Sequence, residues 1–441
     1  MSQAGVHQAF IVDDKTVYQS KLITIDDAIS MIKSGDTICA AQCASAPVGL
    51  LGALHKIKGR VSDVTLWHSI EFRTYPFFTE PGMPESLMYE AWFYGPAERN
   101  LHPTGRVTHQ PCHLSQVVEK KLARRYPNVF WGTATRPDKH GNLSLSVGVV
   151  YEREVLEKAD CVILEVNDNL PRVFGDTILN VRDVDYFIEN TCPLLELTAE
   201  EPGQEDRCIG TAIAELVEDG ATLQLGIGKI PNAVALSLFE KKDLGVHSEM
   251  LTDSMVDLYN AGVITNKKKT LCPDKFIGSF ALGTQKLYDF IDDNPAVELR
   301  VGRWANDPYV IGQNCRMVSI NSCLQVDLTG QVCSESIGSR QISGTGGQWD
   351  TAAGAQRSPG GKSFITMHST AKNGAISTVV PYLDLGAVVS LHRNDVDHVV
   401  TEYGVAPLKG RNIRERIGNL IAIAHPKFRE ELKDKARELK L

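Results

Sequence analysis

No apolar run in this chain approaches the roughly 20 residues that a helix needs to span a bilayer. The opening Met1-Ser2-Gln3-Ala4-Gly5-Val6-His7 also lacks the charged-then-apolar plan of a signal peptide. The expectation is therefore a cytoplasmic protein with no membrane contact. Basic charge is not in excess either: a formal net charge of -8 argues against broad nucleic-acid binding and leaves only local runs such as Lys267-Lys268-Lys269 to meet a phosphate. Zinc spacings are missing. The ten cysteines are dispersed, no CxxC or nearby His-x-x-x-His accompanies Cys39 and Cys43, and the expectation is reduced, mostly buried thiols without a metal.

Two nucleotide-binding fingerprints fail as well. In Gly226-Ile227-Gly228-Lys229-Ile230-Pro231 the third glycine of a GxGxxG turn is replaced by Pro231, and no acidic residue sits clearly on a second strand about 20 residues on, which disfavours a dinucleotide. No Gly-Lys-Ser/Thr closes a Walker loop. Composition is otherwise that of an ordinary globular protein, and 441 residues exceed one ordinary domain, so two domains are the natural prior.

What is present is an internal repeat. Asp27-Ala28-Ile29-Ser30-Met31-Ile32-Lys33-Ser34-Gly35 has helical spacing and a glycine stop, and Thr37-Ile38-Cys39-Ala40 follows as a buried strand. The plan recurs in the helix Thr211 to Gly220 and the strand Thr222-Leu223-Gln224-Leu225. A small-residue turn ending in proline comes next in both copies: Gln42 to Pro47, then Gly226 to Pro231. Each proline opens another helix, Val48 to Lys56 and Asn232 to Phe239. Gly35 and Gly220 stand 185 residues apart, Pro47 and Pro231 184 apart, so four elements repeat in register. Strands such as Val162 to Val166, and one near Val380, alternate with helices. The fold expected is two tandem, related open α/β domains with mainly parallel sheets, spanning 1–202 and 203–441. From Lys427 a charged helix closes the chain, with Leu432 and Leu439 as apolar anchors.

Several segments bear chemistry. Gly226-Ile227-Gly228 joins a strand to a helix, where backbone amides and the helix start favour an anion such as phosphate, although glycine serves many such turns for its conformation alone. Ser343-Gly344-Thr345-Gly346-Gly347-Gln348-Trp349-Asp350 carries no strong secondary-structure signal and reads as a loop that lets backbone approach a ligand, or as a flexible surface turn. Glu249 lies in Val246-His247-Ser248-Glu249-Met250, just before a helix starting near Asp253. By composition it is not separable from Asp138, His140, His247 or Asp350, each with an ordinary role as turn, cap or satisfied polar group.

Together these segments resemble the acetyl-CoA hydrolase/transferase family, in its glutamate-dependent, class I branch of 4-hydroxybutyrate and butyrate:acetate CoA-transferases. The second half carries the resemblance through Leu225-Gly226-Ile227-Gly228, His247-Ser248-Glu249-Met250, Val318 to Cys323, Gly344 to Gln348, Ser369 to Gly374 and Val400-Thr401-Glu402-Tyr403-Gly404. The first half matches more loosely, around Pro137-Asp138-Lys139-His140-Gly141-Asn142.

The resemblance implies the NagB/RpiA-like class I CoA-transferase fold, with the active site at the domain interface. It implies Glu249 as the nucleophile that becomes acylated and then forms a glutamyl-CoA thioester, Asn306 as its support, and the Gly347 amide as an oxyanion donor. It further implies CoA contacts at Gly226, Ile227, Gly228, Lys229, Ile230, Ser343, Gly347 and Lys372. No cofactor is held permanently; coenzyme A and acyl-CoA are substrates, small carboxylic acids are the partners, and a homo-oligomer, a dimer or larger, is expected.

A carboxylate ionised at neutral pH would need no general base, in keeping with the absence of a clear Ser-His-Asp arrangement. The acid pocket is expected to draw on Ile70 to Phe78. Short monocarboxylates or 4-hydroxybutyrate are the implied acids, while Arg73, Arg99 and Arg136 raise a small dicarboxylate such as itaconate or succinate. Net acyl-CoA hydrolysis and a non-catalytic CoA-binding module are the competing functions.

Overall fold

The structure, a computed structural model, describes residues 13–440; Met1 to His7 lie outside the described residues. A first sheet is built from β1 (Thr37–Ala40), β2 (Val64–Trp67), β3 (Leu87–Ala91), β4 (Val107–His109), β5 (Val129–Ala134), β6 (Cys161–Val166) and β7 (Tyr186–Glu189). Its order is β7-β6-β5-β1-β2-β3-β4, parallel throughout. A second sheet is built from β8 (Thr222–Leu225), β9 (Gly245–Val246), β10 (Met317–Ser322), β11 (Lys362–Thr366), β12 (His398–Thr401) and β13 (Gly404–Pro407). Its order is β9-β8-β10-β11-β12-β13, and only the last pair is antiparallel. β1 and β8 are buried along their whole length, as expected of parallel strands covered on both faces.

Both repeated strands fall where the sequence places them. The helices begin earlier than periodicity suggests, because their caps lie upstream. Thr24 Oγ1 accepts from Asp27 N and Asp27 Oδ2 from Thr24 N, so α1 spans Ile25–Met31. Asp206 Oδ2 accepts from Gly203 N and starts α3 (Gln204–Ala214), seven residues before the expected Thr211. Pro47 is the cap of α2 (Val48–Ala53), whereas Pro231 lies inside the first turn of α4 (Lys229–Leu236). α3 and α4 pack so closely that a Cβ on Gly210 would lie 2.6 Å from the Ala233 carbonyl oxygen.

Other expectations change. The glycine cluster runs directly into a helix, α5 (Gln348–Arg357), which packs on β10 and β11. The strand near Val380 is the two-residue Val379–Val380, outside the main sheets. In α6 (Arg429–Glu438) Leu432 is buried but Leu439 lies beyond the helix and is exposed, so one anchor holds rather than two. Lys269 is buried, with Nζ donating to Val246 O and Lys275 O, and is not free for a phosphate. Of the cysteines only Cys39, Cys43 and Cys333 are buried; Cys208 is exposed and the rest half-buried, all as free thiols. Among the described residues no helix is long and apolar enough to cross a membrane, and no group of three or more His, Cys, Asp or Glu is placed to hold a metal.

Candidate active site

β9 ends at Val246, and the chain bends through His247-Ser248-Glu249 before the short strand Met250–Leu251 pairs with Phe280–Ala281. The bend is held on each side: Ser248 N donates to Ile277 O (2.9 Å), Ser248 Oγ to Leu225 O (3.2 Å), and Ser279 N to Glu249 O (2.9 Å). His247 is buried and its Nε2–H donates to Ala305 O (2.8 Å), while desolvation holds its imidazole far below the ordinary value, at about 3. A neutral histidine thus ties the Glu249 bend to the short helix Gly302–Ala305 that ends in Asn306.

Asn306 is fully buried, and its Nδ2 donates to Glu249 Oε2 at 3.2 Å. The Gly347 N–H, at the cap of α5, donates to the same carboxylate. Position 347 admits glycine only, because a Cβ there would lie 2.1 Å from Glu249 Oε2 and 2.1 Å from Asn306 Nδ2. Asn306 and Gly347, 57 and 98 positions from Glu249 in the sequence, are thereby brought against it and against each other. The carboxyl is desolvated strongly enough that its pKa is pushed up to about 7, against the pull of the Asn306 and Gly347 donors. Burial thus works against the ionised form that a solvated glutamate would hold at neutral pH, and the two donors work for it.

Glu249 opens onto a cleft of about 840 Å³ lined by both halves of the chain. Ile70 and Phe93 come from the first half; Leu225, Met250, Phe280 and Leu282 complete an apolar wall; Gln224, Asn321, Ser322 and Ser334 add neutral polar groups. Among the described residues no lysine or arginine lines it. Gly226, Ile227 and Ser343 line the same cleft. Gly226, Ile227 and Leu282 also wall a neighbouring cleft of about 660 Å³, which Gly228 joins.

The other expected contacts lie elsewhere. Lys229 is exposed and pairs with Glu200 (3.1 Å), Ile230 is buried in the core, and Lys372 is exposed on a turn between Thr370–Ala371 and Ile376–Ser377. Of the stretch from Ile70 to Phe78 only Ile70 lines the Glu249 cleft; Tyr75, Phe77 and Phe78 are core. Arg73 lines a separate small cavity with Glu165 and Asn190. Arg99 donates to Ile342 O (2.8 Å), and Arg136 pairs with Asp168 and Glu189 on the surface. Asp138 is a turn residue accepting from His140 N and Asn142 N.

Sequence reasoning passed over Phe93 and Ser115. Phe93 packs on the glycine loop, where a Cβ on Gly344 would meet Trp92 O at 2.5 Å and Phe93 Cα at 3.0 Å. The loop is anchored by Glu335, whose carboxylate accepts from Thr345 Oγ1 (3.0 Å), Ser390 Oγ (2.9 Å) and Gln341 Nε2 (3.0 Å); His109 and these donors hold it at about 2 despite its burial.

A desolvated carboxyl thus opens into a cleft lined by both halves of the chain, with the Asn306 amide on Oε2 and the Gly347 N–H also donating to the carboxylate. The comparisons with known proteins give the family. Residues 10–195 match the Acetyl-CoA hydrolase/transferase N-terminal domain and residues 283–436 the C-terminal domain of the same name; Glu249 lies between the two spans. The chain is 47% identical over 417 residues to the 4-hydroxybutyrate coenzyme A transferase of Clostridium kluyveri, covering 94% of this chain and 97% of that one. It is 42% identical to the succinyl-CoA:cyclohexane-1-carboxylate CoA transferase of Geobacter metallireducens, over 96% of each. Among solved structures it resembles RipA from Yersinia pestis with a TM-score of 0.90 at 34% identity, covering 97% of this chain and 99% of that one. The chain belongs to the acetyl-CoA hydrolase/transferase family.

Proposed function

We propose that this CoA-transferase moves coenzyme A between an acyl-CoA and a small monocarboxylic acid, with Glu249 as the covalent nucleophile. The observation that carries the reading is the Glu249 carboxylate held by Asn306 Nδ2 and the Gly347 N–H at the floor of a cleft shared by both halves. The ionised carboxylate attacks the thioester carbonyl. A tetrahedral oxyanion forms, stabilised by preorganised donors of which the Gly347 N–H is the nearest candidate, one such donor contributing about 3–4 kcal/mol in related acyl transfers. The C–S bond breaks and CoA thiolate leaves an acyl-glutamyl anhydride. The thiolate then attacks the glutamyl carbonyl, releasing the first acid and leaving a glutamyl-CoA thioester; the second acid runs the same steps in reverse. Apolar walls keep water from the anhydride, which would otherwise be hydrolysed. The open turn at Gly226 to Gly228 and the loop at Ser343 to Gly347 support CoA contacts there, with the phosphates favoured near the start of α4.

A cleft that no lysine or arginine lines among the described residues favours acetate, butyrate or 4-hydroxybutyrate, because a second carboxylate is costly to bury without a cationic partner. Transfer is favoured over hydrolysis because relatives named as transferases are 47% and 42% identical over nearly the whole chain, whereas acetyl-CoA hydrolases of Kluyveromyces lactis and Yarrowia lipolytica are 33% and 31% identical over 50% and 76% of it. The same reading has the enzyme in the cytoplasm as a homo-oligomer.

Incubation with acetyl-CoA, hydroxylamine or borohydride trapping and peptide mass analysis should mark Glu249; a mark on another residue sinks the mechanism. An acceptor screen should rank the monocarboxylates above succinate and itaconate, with no CoA released when acid is omitted. Because the reactive form is the anion and its pKa is raised, kcat/KM should climb with pH through about 7 and level off above it.

A further inference from the structure

Asp350 lies in the first turn of α5 and is 0% exposed. Its two carboxyl oxygens accept from Ser115 N (3.0 Å) and Ser115 Oγ (2.7 Å), donors contributed by the first half of the chain. Its remaining polar neighbour is the side chain of Asn306, the residue whose Nδ2 donates to Glu249, and the charge it feels most is that of Glu249. Asn306 Oδ1 is buried and has no hydrogen-bond partner among the described residues.

We propose that Asp350 is a positioning residue for the nucleophile: locked by Ser115, it accepts from the Asn306 side chain and so fixes the amide whose Nδ2 is presented to Glu249. The proposal rests on Glu249 being the nucleophile.

Two desolvated carboxyls that share one amide do not both ionise readily, so the pair favours a single negative charge. With that charge on Glu249, Asp350 keeps its proton, and its carboxyl oxygens still accept from Ser115 and from the Asn306 side chain. With Glu249 acylated and neutral, Asp350 is free to ionise, its proton passing to bulk water and its charge resting on the two Ser115 donors. The Asn306 amide is thus held between the two carboxyls throughout the cycle. Burial raises both carboxyls in the free protein, and Glu249 adds to the rise at Asp350. The ionisable groups on the surrounding elements are turned elsewhere. His113, held neutral by burial, stacks on Trp349; His247 donates to Ala305 O; Asp307 accepts from Tyr309 N; Lys362 pairs with Glu218.

The test is a double-mutant cycle in the full-length enzyme with acetyl-CoA and butyrate. Asp350→Asn, nearly isosteric, should lower kcat by about 10–100-fold, the cost of a slightly misplaced reacting group, with KM for acetyl-CoA nearly unchanged. The same variant should move the acid limb of kcat/KM to lower pH by about one unit, since the carboxyl that competes with Glu249 for the single negative charge is gone. Combined with Asn306→Ala it should add nothing to the loss that Asn306→Ala causes alone. Ser115→Ala, which leaves Asp350 in place, should show a smaller loss that also vanishes in the Asn306→Ala background, and it serves if Asp350→Asn melts early. Losses that multiply with Asn306→Ala, or an unmoved pH limb, overturn the proposal. Trapping on the wild type separates the two readings. A mark away from Glu249 overturns the nucleophile itself, whereas a marked Glu249 with multiplying losses overturns only the role of Asp350.

Discussion

The two copies of the repeat treat the same turn in opposite ways. After β1 the helix α2 opens onto a carboxylate of the chain itself: Glu165 accepts from Gly49 N (3.2 Å), Leu50 N (2.6 Å) and Asn190 Nδ2 (2.6 Å). The turn before it, Gln42 to Pro47, is buried, and Gln42 Oε1 accepts from Trp92 Nε1 (3.0 Å). After β8 the cap of α4 is Gly228 at φ +117, no side chain satisfies its first amides, and Ile227 to Lys229 are exposed. A strand-to-helix turn favours negative charge in either copy. One half supplies that charge from within and becomes a support; the other leaves it to a ligand and lines the cleft. The position of an internal glutamate, rather than the turn itself, separates scaffold from site.

Four substitutions sharpen or break that comparison. Glu249→Gln in the open half should lower kcat on the order of 10⁴-fold or more, as loss of a covalent nucleophile does. It should also remove a carboxyl whose raised pKa favours the protonated form in the folded state. That group's contribution falls as pH rises from the unfolded value near 4.5 through about 7, so the variant should gain about 1–3 kcal/mol over wild type at pH 8 and little at pH 4. Denaturant melts at the two pH values check the sign. Gly347→Ala, which sets a methyl against Glu249 and Asn306, should cost about 10²–10³-fold in kcat by displacing a donor and the nucleophile together.

Ile227→Glu fills the open turn with the kind of charge that Glu165 places in the closed one. It should raise KM for acetyl-CoA about tenfold by repelling an anionic ligand while KM for butyrate changes little; an unchanged KM for acetyl-CoA would mean that the turn is not an anion site. Glu165→Ala should change kcat least of the four. One buried amide, Leu50 N, and one half-buried amide, Gly49 N, lose their acceptor, so stability should drop by about 2–3 kcal/mol. A large loss of kcat in a stable protein would mean that the closed turn takes part in the chemistry after all.

Local pattern made much of this scaffold legible. Thr37–Ala40 and Thr222–Leu225 stand out because strands buried on both faces are short apolar runs, and glycines stop the segments before them. Helix starts were misplaced where a capping carboxylate acted from upstream, as Asp206 does for α3. At the site, Glu249 itself was reached only through the family resemblance. Nothing in its neighbourhood of sequence announces the desolvation that raises its pKa, which comes from walls contributed by Phe93, Gly347 and Phe280. The three arginines misled for the same reason in reverse, since residue type advertises carboxylate binding while position sends each to a different surface. Asp350 could be read as a turn, cap or satisfied polar residue, but not as a neighbour of Ser115, which lies 235 residues away.

That last separation has a kinetic meaning. A contact closing a loop of 235 residues is among the more expensive in chain entropy and forms after local structure has condensed. During synthesis Ser115 leaves the ribosome long before Asp350, so the first half waits, folded or not, without the surroundings that desolvate Glu249. The surroundings of Glu249 are consequently assembled late, and a half-folded chain carries there an ordinary, solvated glutamate.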